Sequence, residues 1–138
     1  MIRRLKTGKE LKEAFDILKE LRTKLTLKEF LDLKSKTEKY KMYGLFFEGK
    51  LVSFAGIGIL TNMYHKKHLF VYDLVTKSGL RSRGFGKKLM GFLEKLGKKE
   101  NCQKVVLTSR LERVDAHRFY ESFGMRKMSY TFIKEIQD

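Results

Sequence analysis

The stretch LRSRGFGKKL, residues Leu80 to Leu89, places Gly84 and Gly86 among basic side chains. It lies between an apolar run that ends at Thr76 and a helical pattern that continues to about Lys99. The first N–H groups of a helix lack partners within the helix, and the helix dipole adds partial positive charge there. Glycines remove side chains, so an anion can approach the backbone. The stretch therefore predicts a cradle for a pyrophosphate group.

Two familiar phosphate-binding loops do not match this stretch. A Walker loop needs a glycine, four residues and then Gly-Lys-Ser/Thr, and the residues after Gly79 and Gly84 differ from that pattern. A dinucleotide fingerprint needs three glycines spaced GxGxxG near the first strand, whereas this GxG lies far into the chain. The other interpretation that stays open is an ordinary helix start in a basic protein.

The composition is that of a globular protein with a strong positive charge. The chain has 138 residues, of which 42% are hydrophobic and 34% charged, enough for one domain with a buried core. The formal net charge of +15 favours anionic partners such as nucleic acid, acidic membrane or a phosphorylated small molecule. Alternatively, most lysines form solvated helix faces, because they are spread along the whole chain.

Compartment and membrane signals are few. No apolar run approaches the ~18 residues that span a bilayer, and no apolar stretch follows the basic N-terminal residues as in a signal peptide. Cys102 is the single cysteine, which excludes an internal disulfide. We therefore expect a cytoplasmic protein in a reducing compartment, without membrane association.

Hydrophobic periodicity predicts a mixed α/β domain with at least one strand–helix–strand crossover. Thr26 with Glu29 forms a capping box, Glu48-Gly49 a turn, and Gly124 a helix stop. In chain order we predict a strand at 2–5, helices at 10–21 and from 26, two strands within 42–60, a strand at 68–76, a helix from 84 or 85 to 99, a strand at 104–109, a helix at 114–124 and a final strand at 128–136.

Three residues within the predicted strands need a reason. Gly56 and Gly58 weaken a strand unless something packs closely against them. Asp73 is the only carboxylate in the apolar strand 68–76, where an unpaired buried charge is costly. Asp73 is either a general base or the partner of a nearby arginine or lysine, or it points to solvent. Glu48 and Glu112 are weaker candidates for the base.

Two motifs carry a family resemblance. Arg81-x-x-Gly84-x-Gly86, after an apolar strand, resembles the acyl-coenzyme A signature of the GCN5-related N-acetyltransferases (GNAT). Ala116-x-x-Phe119-Tyr120-x-x-x-Gly124-Met125 resembles the second signature of that family. The order and spacing of the two motifs also suit the family, and the predicted elements from residue 2 to 136 follow its order.

The resemblance implies a fold and a cosubstrate. The fold would be a single domain over 1–138, with a mixed, mostly antiparallel sheet of six to seven strands flanked by about four helices. Acetyl-coenzyme A would lie between the strand that ends near Val75 and the strand at 105–109. The residues that the resemblance assigns to cofactor binding are Leu74, Val75, Arg81, Ser82, Arg83, Gly84, Phe85, Gly86, Lys87 and Arg113.

The resemblance also implies an enzyme that moves an acetyl group directly to a primary amine. Tyr120 would protonate the departing thiolate, and Asp73 is our candidate base. Arg113 stands where many members have asparagine, so it would reach a phosphate instead of the pantetheine arm. We expect no metal, because His65, His68 and His117 lack ligand spacing, although Arg113 to Tyr120 is weakly similar to an aminoalkylphosphonate acetyltransferase branch.

The acceptor and partners are less defined. The net charge favours a small amine that carries an acidic group over a polycation. No helix-turn-helix, zinc or RNA-binding signature is present, so we expect no specific nucleic-acid partner. Alternatives are a basic nucleic-acid-binding module and a coenzyme A-binding module without catalysis. The family resemblance also allows a homodimer.

Overall fold

Strands and helices follow the predicted order as far as the last helix in the computed structural model, which describes residues 1–137. The elements are β1 (Ile2–Arg4), α1 (Gly8–Lys19), α2 (Leu27–Lys36), β2 (Lys41–Phe47), β3 (Lys50–Asn62), β4 (Lys66–Thr76), α3 (Phe85–Lys99), β5 (Lys104–Val106) and α4 (Val114–Ser122). The prediction of about four helices is confirmed.

The sheet is mixed and mostly antiparallel, as predicted. Its order is β1-β2-β3-β4-β5, and only the β4–β5 pair is parallel. Helix α3 connects these two parallel strands, which is the predicted strand–helix–strand crossover. The β2–β3 hairpin turns at Glu48 and Gly49, where φ is 52° and 77°, as a tight two-residue turn requires.

The number of strands differs from the prediction of six to seven. The described residues contain five strands. The predicted strand at 128–136 is absent, since residues 125–137 are neither helix nor strand in the structure. Alternation of apolar and polar residues describes which side chains share a face, whereas a strand also needs the hydrogen bonds of a partner. This segment has no such partner among residues 1–137, and Phe132 is 93% exposed.

The chain forms two compact units. Residues 1–107 contain the sheet with α1, α2 and α3, and the second unit begins at Thr108 and contains α4. Within the first unit, α1 and α2 bury apolar side chains such as Phe15 and Phe30 against Phe54 of β3. The first turn of α3 packs Phe85 with Leu45 and Val52, which anchors the start of this helix on β2 and β3.

Local signals define the helix ends. Thr26 and Glu29 form the predicted capping box of α2, and Thr7 with Glu10 forms a second one that starts α1. Gly124 follows α4 with φ 92°, the left-handed conformation that ends helices, so the predicted stop is confirmed.

Candidate functional site

An open strand edge forms the first part of the candidate site. The β4–β5 ladder pairs only His68, Leu69 and Phe70 with β5, although β4 continues to Thr76. Within residues 1–107, the β5 side of β4 from Val71 to Thr76 therefore has no partner strand. Such an edge can hydrogen-bond an extended ligand as an added strand would. Val75 is buried and Leu74 is half-buried at this edge.

A run of unpaired backbone N–H groups forms the second part. In the described structure, none of the N–H groups from Arg81 to Lys87 donates a hydrogen bond, and pairing resumes with Lys88 N–H to the Gly84 carbonyl at 3.0 Å. Gly84 is the residue before α3, with φ 83° and no atom within 4 Å of where its Cβ would lie. Ser82 also has a positive φ, 66°. The loop and helix start thus present a run of free main-chain donors where the sequence predicted an anion cradle.

Two of the basic side chains in this segment, Arg81 and Arg83, contact neighbouring residues. Arg81 Nε donates to the Thr76 carbonyl at 3.3 Å, which ties the loop to the end of β4. The Arg83 guanidinium lies 5.3 Å from the Phe47 ring and 5.5 Å from the Phe85 ring. Lys87 is exposed in the first turn of α3. Phosphate contacts from this segment would therefore come mainly from the backbone, with these side chains adding positive charge nearby.

Asp73 is partnered on both carboxylate oxygens. The Tyr40 hydroxyl donates to Oδ2 at 2.6 Å, and Nη2 of Arg22 lies 3.7 Å from Oδ1. The ion pair that the sequence allowed as an alternative is therefore present, although 3.7 Å is longer than a hydrogen bond. The Asp73 side chain keeps 15% of its surface exposed, so it is not fully enclosed by these partners.

Two glycines make room for this arrangement. A Cβ on Gly56 would lie 1.9 Å from the Tyr40 hydroxyl oxygen, and one on Gly58 would lie 3.0 Å from the Tyr72 ring. The prediction that something packs closely against Gly56 and Gly58 is confirmed. The β3–β4 register shifts between Gly56 and Ile57, which leaves Tyr72 as an extra residue in β4.

The bulge directs two consecutive β4 side chains to the segment before β2. Tyr72 donates to the Glu38 carbonyl at 3.2 Å while Asp73 meets Tyr40, and the two tyrosine rings lie 5.5 Å apart. Sequence reasoning missed Tyr40 and Arg22, since both come from other parts of the chain. The only signal for them was the glycine pair in β3.

The Tyr40 hydroxyl stays a hydrogen-bond donor. Burial raises the pKa of Tyr40, and the negative charge of Asp73 raises it further, so the phenol is protonated at neutral pH. Burial also raises the pKa of Tyr72. Tyr40 can therefore hold the carboxylate of Asp73 in one orientation.

In the second unit, α4 carries the other predicted residues. Arg113 precedes the helix, and its carbonyl accepts from the His117 N–H at 3.1 Å. Tyr120 lies in the last half of α4, where burial raises its pKa against the opposing charge of Arg113. A raised pKa keeps the phenol protonated at neutral pH, as a proton donor requires.

The remaining candidates lack catalytic surroundings. Glu48 is exposed in the β2–β3 turn, and Glu112 pairs with Arg110 at 2.7 Å. Burial raises the pKa of Cys102, which disfavours the thiolate.

Among residues 1–137, no cluster of three or more His, Cys, Asp or Glu side chains could hold a metal ion. No helix in this part of the chain is long and apolar enough to cross a membrane.

Sequence comparison agrees with the two motifs. The chain matches the family described as Acetyltransferase (GNAT) family over residues 9–125. It is 31% identical over 139 residues to the uncharacterized N-acetyltransferase YhdJ of Bacillus subtilis (strain 168), with 98% of each chain covered.

Solved structures share the fold. The aminoglycoside N-acetyltransferase AAC(6')-Iy, in complex with the bisubstrate analogue CoA-S-monomethyl-acetylneamine, is similar with a TM-score of 0.83 and 14% identity, over 100% of this chain and 98% of that chain. Glucosamine-6-phosphate N-acetyltransferase from Arabidopsis thaliana is similar with a TM-score of 0.73 and 23% identity, over 99% of this chain and 98% of that chain. At these identities, the likeness shows a common fold.

Proposed function

The chain belongs to the GNAT family of acetyltransferases, and we propose that it transfers the acetyl group of acetyl-coenzyme A to a primary amine of a small molecule. Two stretches of unpaired main chain carry this proposal: the open edge of β4, and the N–H groups from Arg81 to Lys87. Relatives in fold acetylate small amines, as their names state for an aminoglycoside and for glucosamine-6-phosphate. We place the reaction in the cytoplasm, within one domain over 1–138.

The binding groups fit acetyl-coenzyme A. The pyrophosphate would take hydrogen bonds from the loop and first turn of α3, with Ser82 and Gly84 in the left-handed conformations that turn successive N–H groups inward. The pantetheine amides would pair with Leu74 and Val75 at the open edge of β4. When bound, acetyl-coenzyme A supplies an acetyl thioester, which is an activated acyl donor.

This chain would provide two proton transfers and one polarising group. A protonated amine must lose a proton before it attacks, and Asp73 would accept that proton. A backbone N–H near Val75 would polarise the acetyl carbonyl, as in an oxyanion hole. As the C–N bond forms and the C–S bond breaks, Tyr120 would donate its proton to the sulfur, and the second proton lost by the nitrogen would restore the Tyr120 phenol. Its position in the second motif and its raised pKa support this role.

The first test separates catalysis from binding. We expect Tyr120→Phe to lower kcat by roughly 100-fold, since a positioned general acid contributes about 10²- to 10⁴-fold. Acetyl-coenzyme A affinity, measured by calorimetric titration, should change less than about twofold because the phenyl ring is retained.

Tyr43→Phe is the matched control, since Tyr43 lies in β2 against Phe92. It should leave both kcat and affinity unchanged. Equal loss of turnover and affinity in Tyr120→Phe would refute the acid role. Cosubstrate binding by the wild type with no turnover on any amine would favour a coenzyme A-binding module without catalysis.

The charge of +15 favours a second candidate, a nucleic-acid-binding module. The same calorimeter distinguishes the two functions, with acetyl-coenzyme A, ATP and a short DNA duplex as ligands at two salt concentrations. One-to-one binding of acetyl-coenzyme A that persists at the higher salt supports the enzyme. Binding of DNA alone, lost as salt rises, supports the second candidate, because phosphate contacts release counterions.

A further inference from the structure

Arg22 forms only a loose ion pair with Asp73, without a hydrogen bond. Its guanidinium lies 3.7 Å from the Asp73 carboxylate, and its side chain is 56% exposed. Arginine pairs that are well formed make two parallel hydrogen bonds at ~2.7–2.9 Å. Within residues 1–107, the guanidinium donates no hydrogen bond, so its planar set of donors is available to a ligand.

Arg22 also borders an open cleft. The connection between α1 and α2 and the first turn of α2 line a shallow depression of about 450 Å³ that is wide open to solvent. The charged residues that line it are Arg22, Lys24 and Glu29. Glu29 is engaged in the capping box of α2, so the side chains available at this cleft are mainly cationic.

Asp73 supplies the opposite charge beside Arg22. The Tyr40 hydroxyl holds one carboxylate oxygen at 2.6 Å, which leaves the oxygen on the Arg22 side without a hydrogen bond. That oxygen could accept from an ammonium group. A carboxylate and a guanidinium side by side therefore complement a molecule that carries an ammonium and an anion a few bonds apart.

We infer that Arg22 is a specificity residue that binds an anionic group on the acceptor, a carboxylate or a phosphate, while Asp73 receives the ammonium of the same molecule. The inference rests on the proposed function and narrows its acceptor to small amines that carry an acidic group. On binding, the acceptor would replace the loose contact between Arg22 and Asp73 with two closer ones. A polyamine gains nothing from Arg22 and is repelled by it.

The experiment uses matched acceptors that differ in their anionic group. O-phosphoethanolamine is compared with ethanolamine, and β-alanine with β-alaninamide, using purified full-length protein and acetyl-coenzyme A. In the wild type, we expect kcat/KM to be at least about tenfold higher for the anionic member of one pair. Arg22→Gln should lower kcat/KM for that anionic amine by roughly 10- to 100-fold, since hydrogen bonds to charged groups are the stronger ones. The value for its neutral partner should change less than about threefold.

Two variants control for charge and geometry. Lys28→Gln removes the same charge from an exposed position on α2 and should leave the preference intact. Arg22→Lys keeps the charge without the planar pair of donors and should lie between wild type and Arg22→Gln. A wild type without preference in either pair, or equal loss for both members of a pair in Arg22→Gln, would overturn the inference.

Direct binding separates this inference from the proposed function. Calorimetric titration of the same four amines, with coenzyme A present, measures the preference without requiring catalysis. Selective loss of affinity for the anionic amine in Arg22→Gln, in a protein that transfers no acetyl group, supports the Arg22 site and refutes the enzyme. Acetylation of amines with no dependence on Arg22 refutes the Arg22 site and supports the enzyme. No binding of either anionic amine to the wild type refutes the site.

Discussion

Two glycine pairs in this protein serve opposite purposes. In β3, Gly56 and Gly58 lie under Tyr40 and Tyr72, and an added Cβ would lie 1.9 Å from the Tyr40 hydroxyl oxygen and 3.0 Å from the Tyr72 ring. At the start of α3, Gly84 has open space around it and a φ of 83°. The first pair makes room for side chains of the same chain, whereas the second lies in a segment whose N–H groups donate no hydrogen bond in the described structure.

The difference teaches that one residue type can permit close packing in a strand and expose main-chain donors at a helix start. The β3 pair lies where the register of β3 and β4 shifts, and the tyrosine above it holds Asp73. The α3 pair follows the open end of β4, and N–H groups there have no acceptor in the described structure. Substitutions in the first pair should therefore affect stability, and substitutions in the second should affect affinity.

The largest effect is expected from Gly86→Glu. Gly86 lies in the first turn of α3, and a carboxylate there would repel a pyrophosphate. Like charges at a binding interface cost several kcal/mol, so the affinity for acetyl-coenzyme A should fall by at least about 100-fold. Calorimetric titration measures the change.

Gly91→Glu adds the same charge further along α3, where nothing lies within 4 Å of the Cβ position. It should change the affinity by less than about threefold, because exposed charges are screened by solvent. Unaltered affinity in Gly86→Glu would show that Gly84 and Gly86 form an ordinary helix start and do not contribute to a pyrophosphate site.

A smaller effect, on stability, is expected from Gly56→Ala. The new methyl group meets the Tyr40 ring, and overpacking of this kind costs about 1–3 kcal/mol in the free energy of unfolding. Urea denaturation measures the loss. The folded variant should retain its acetyl-coenzyme A affinity, in contrast to Gly86→Glu.

A double-mutant cycle tests whether contact with Tyr40 causes the loss of stability in Gly56→Ala. In a Tyr40→Ala background, Gly56→Ala should cost less than about 0.5 kcal/mol, since contacting residues are coupled and the ring is gone. Equal cost in both backgrounds would mean that Tyr40 is not what the glycine accommodates.

The smallest effect is expected from Gly91→Ala, which belongs to neither pair. Its Cβ would be in open space within α3, and alanine is favoured over glycine in a helix by about 0.5–1 kcal/mol. We expect a rise in the free energy of unfolding of this size and no change in kinetics. A destabilised Gly91→Ala would show that open space around a glycine does not predict tolerance in this protein.

The sequence by itself determined the order of the helices and strands as far as α4, together with several of their ends. Capping residues, turn glycines and hydrophobic periodicity act within a few positions of the chain, so Thr26 with Glu29, Glu48-Gly49 and Gly124 could be assigned correctly. The predicted anion cradle is an equally local pattern, since it consists of a loop and the helix start that follows it. Two motifs also sufficed for the family, since their residues and spacing are visible in the chain.

Only the tertiary structure decided what surrounds Asp73 and how many strands the sheet has. Tyr40 reaches Asp73 across 33 residues of sequence, through a register shift that no periodicity reports. Arg22 approaches the same carboxylate from the α1–α2 connection. The alternating segment 128–136 predicted a strand, yet five strands are present among residues 1–137. These cases share one physical reason. The pattern of apolar and polar residues in a segment shows which of its side chains share a face, but it does not show which other segment will pack or pair with it.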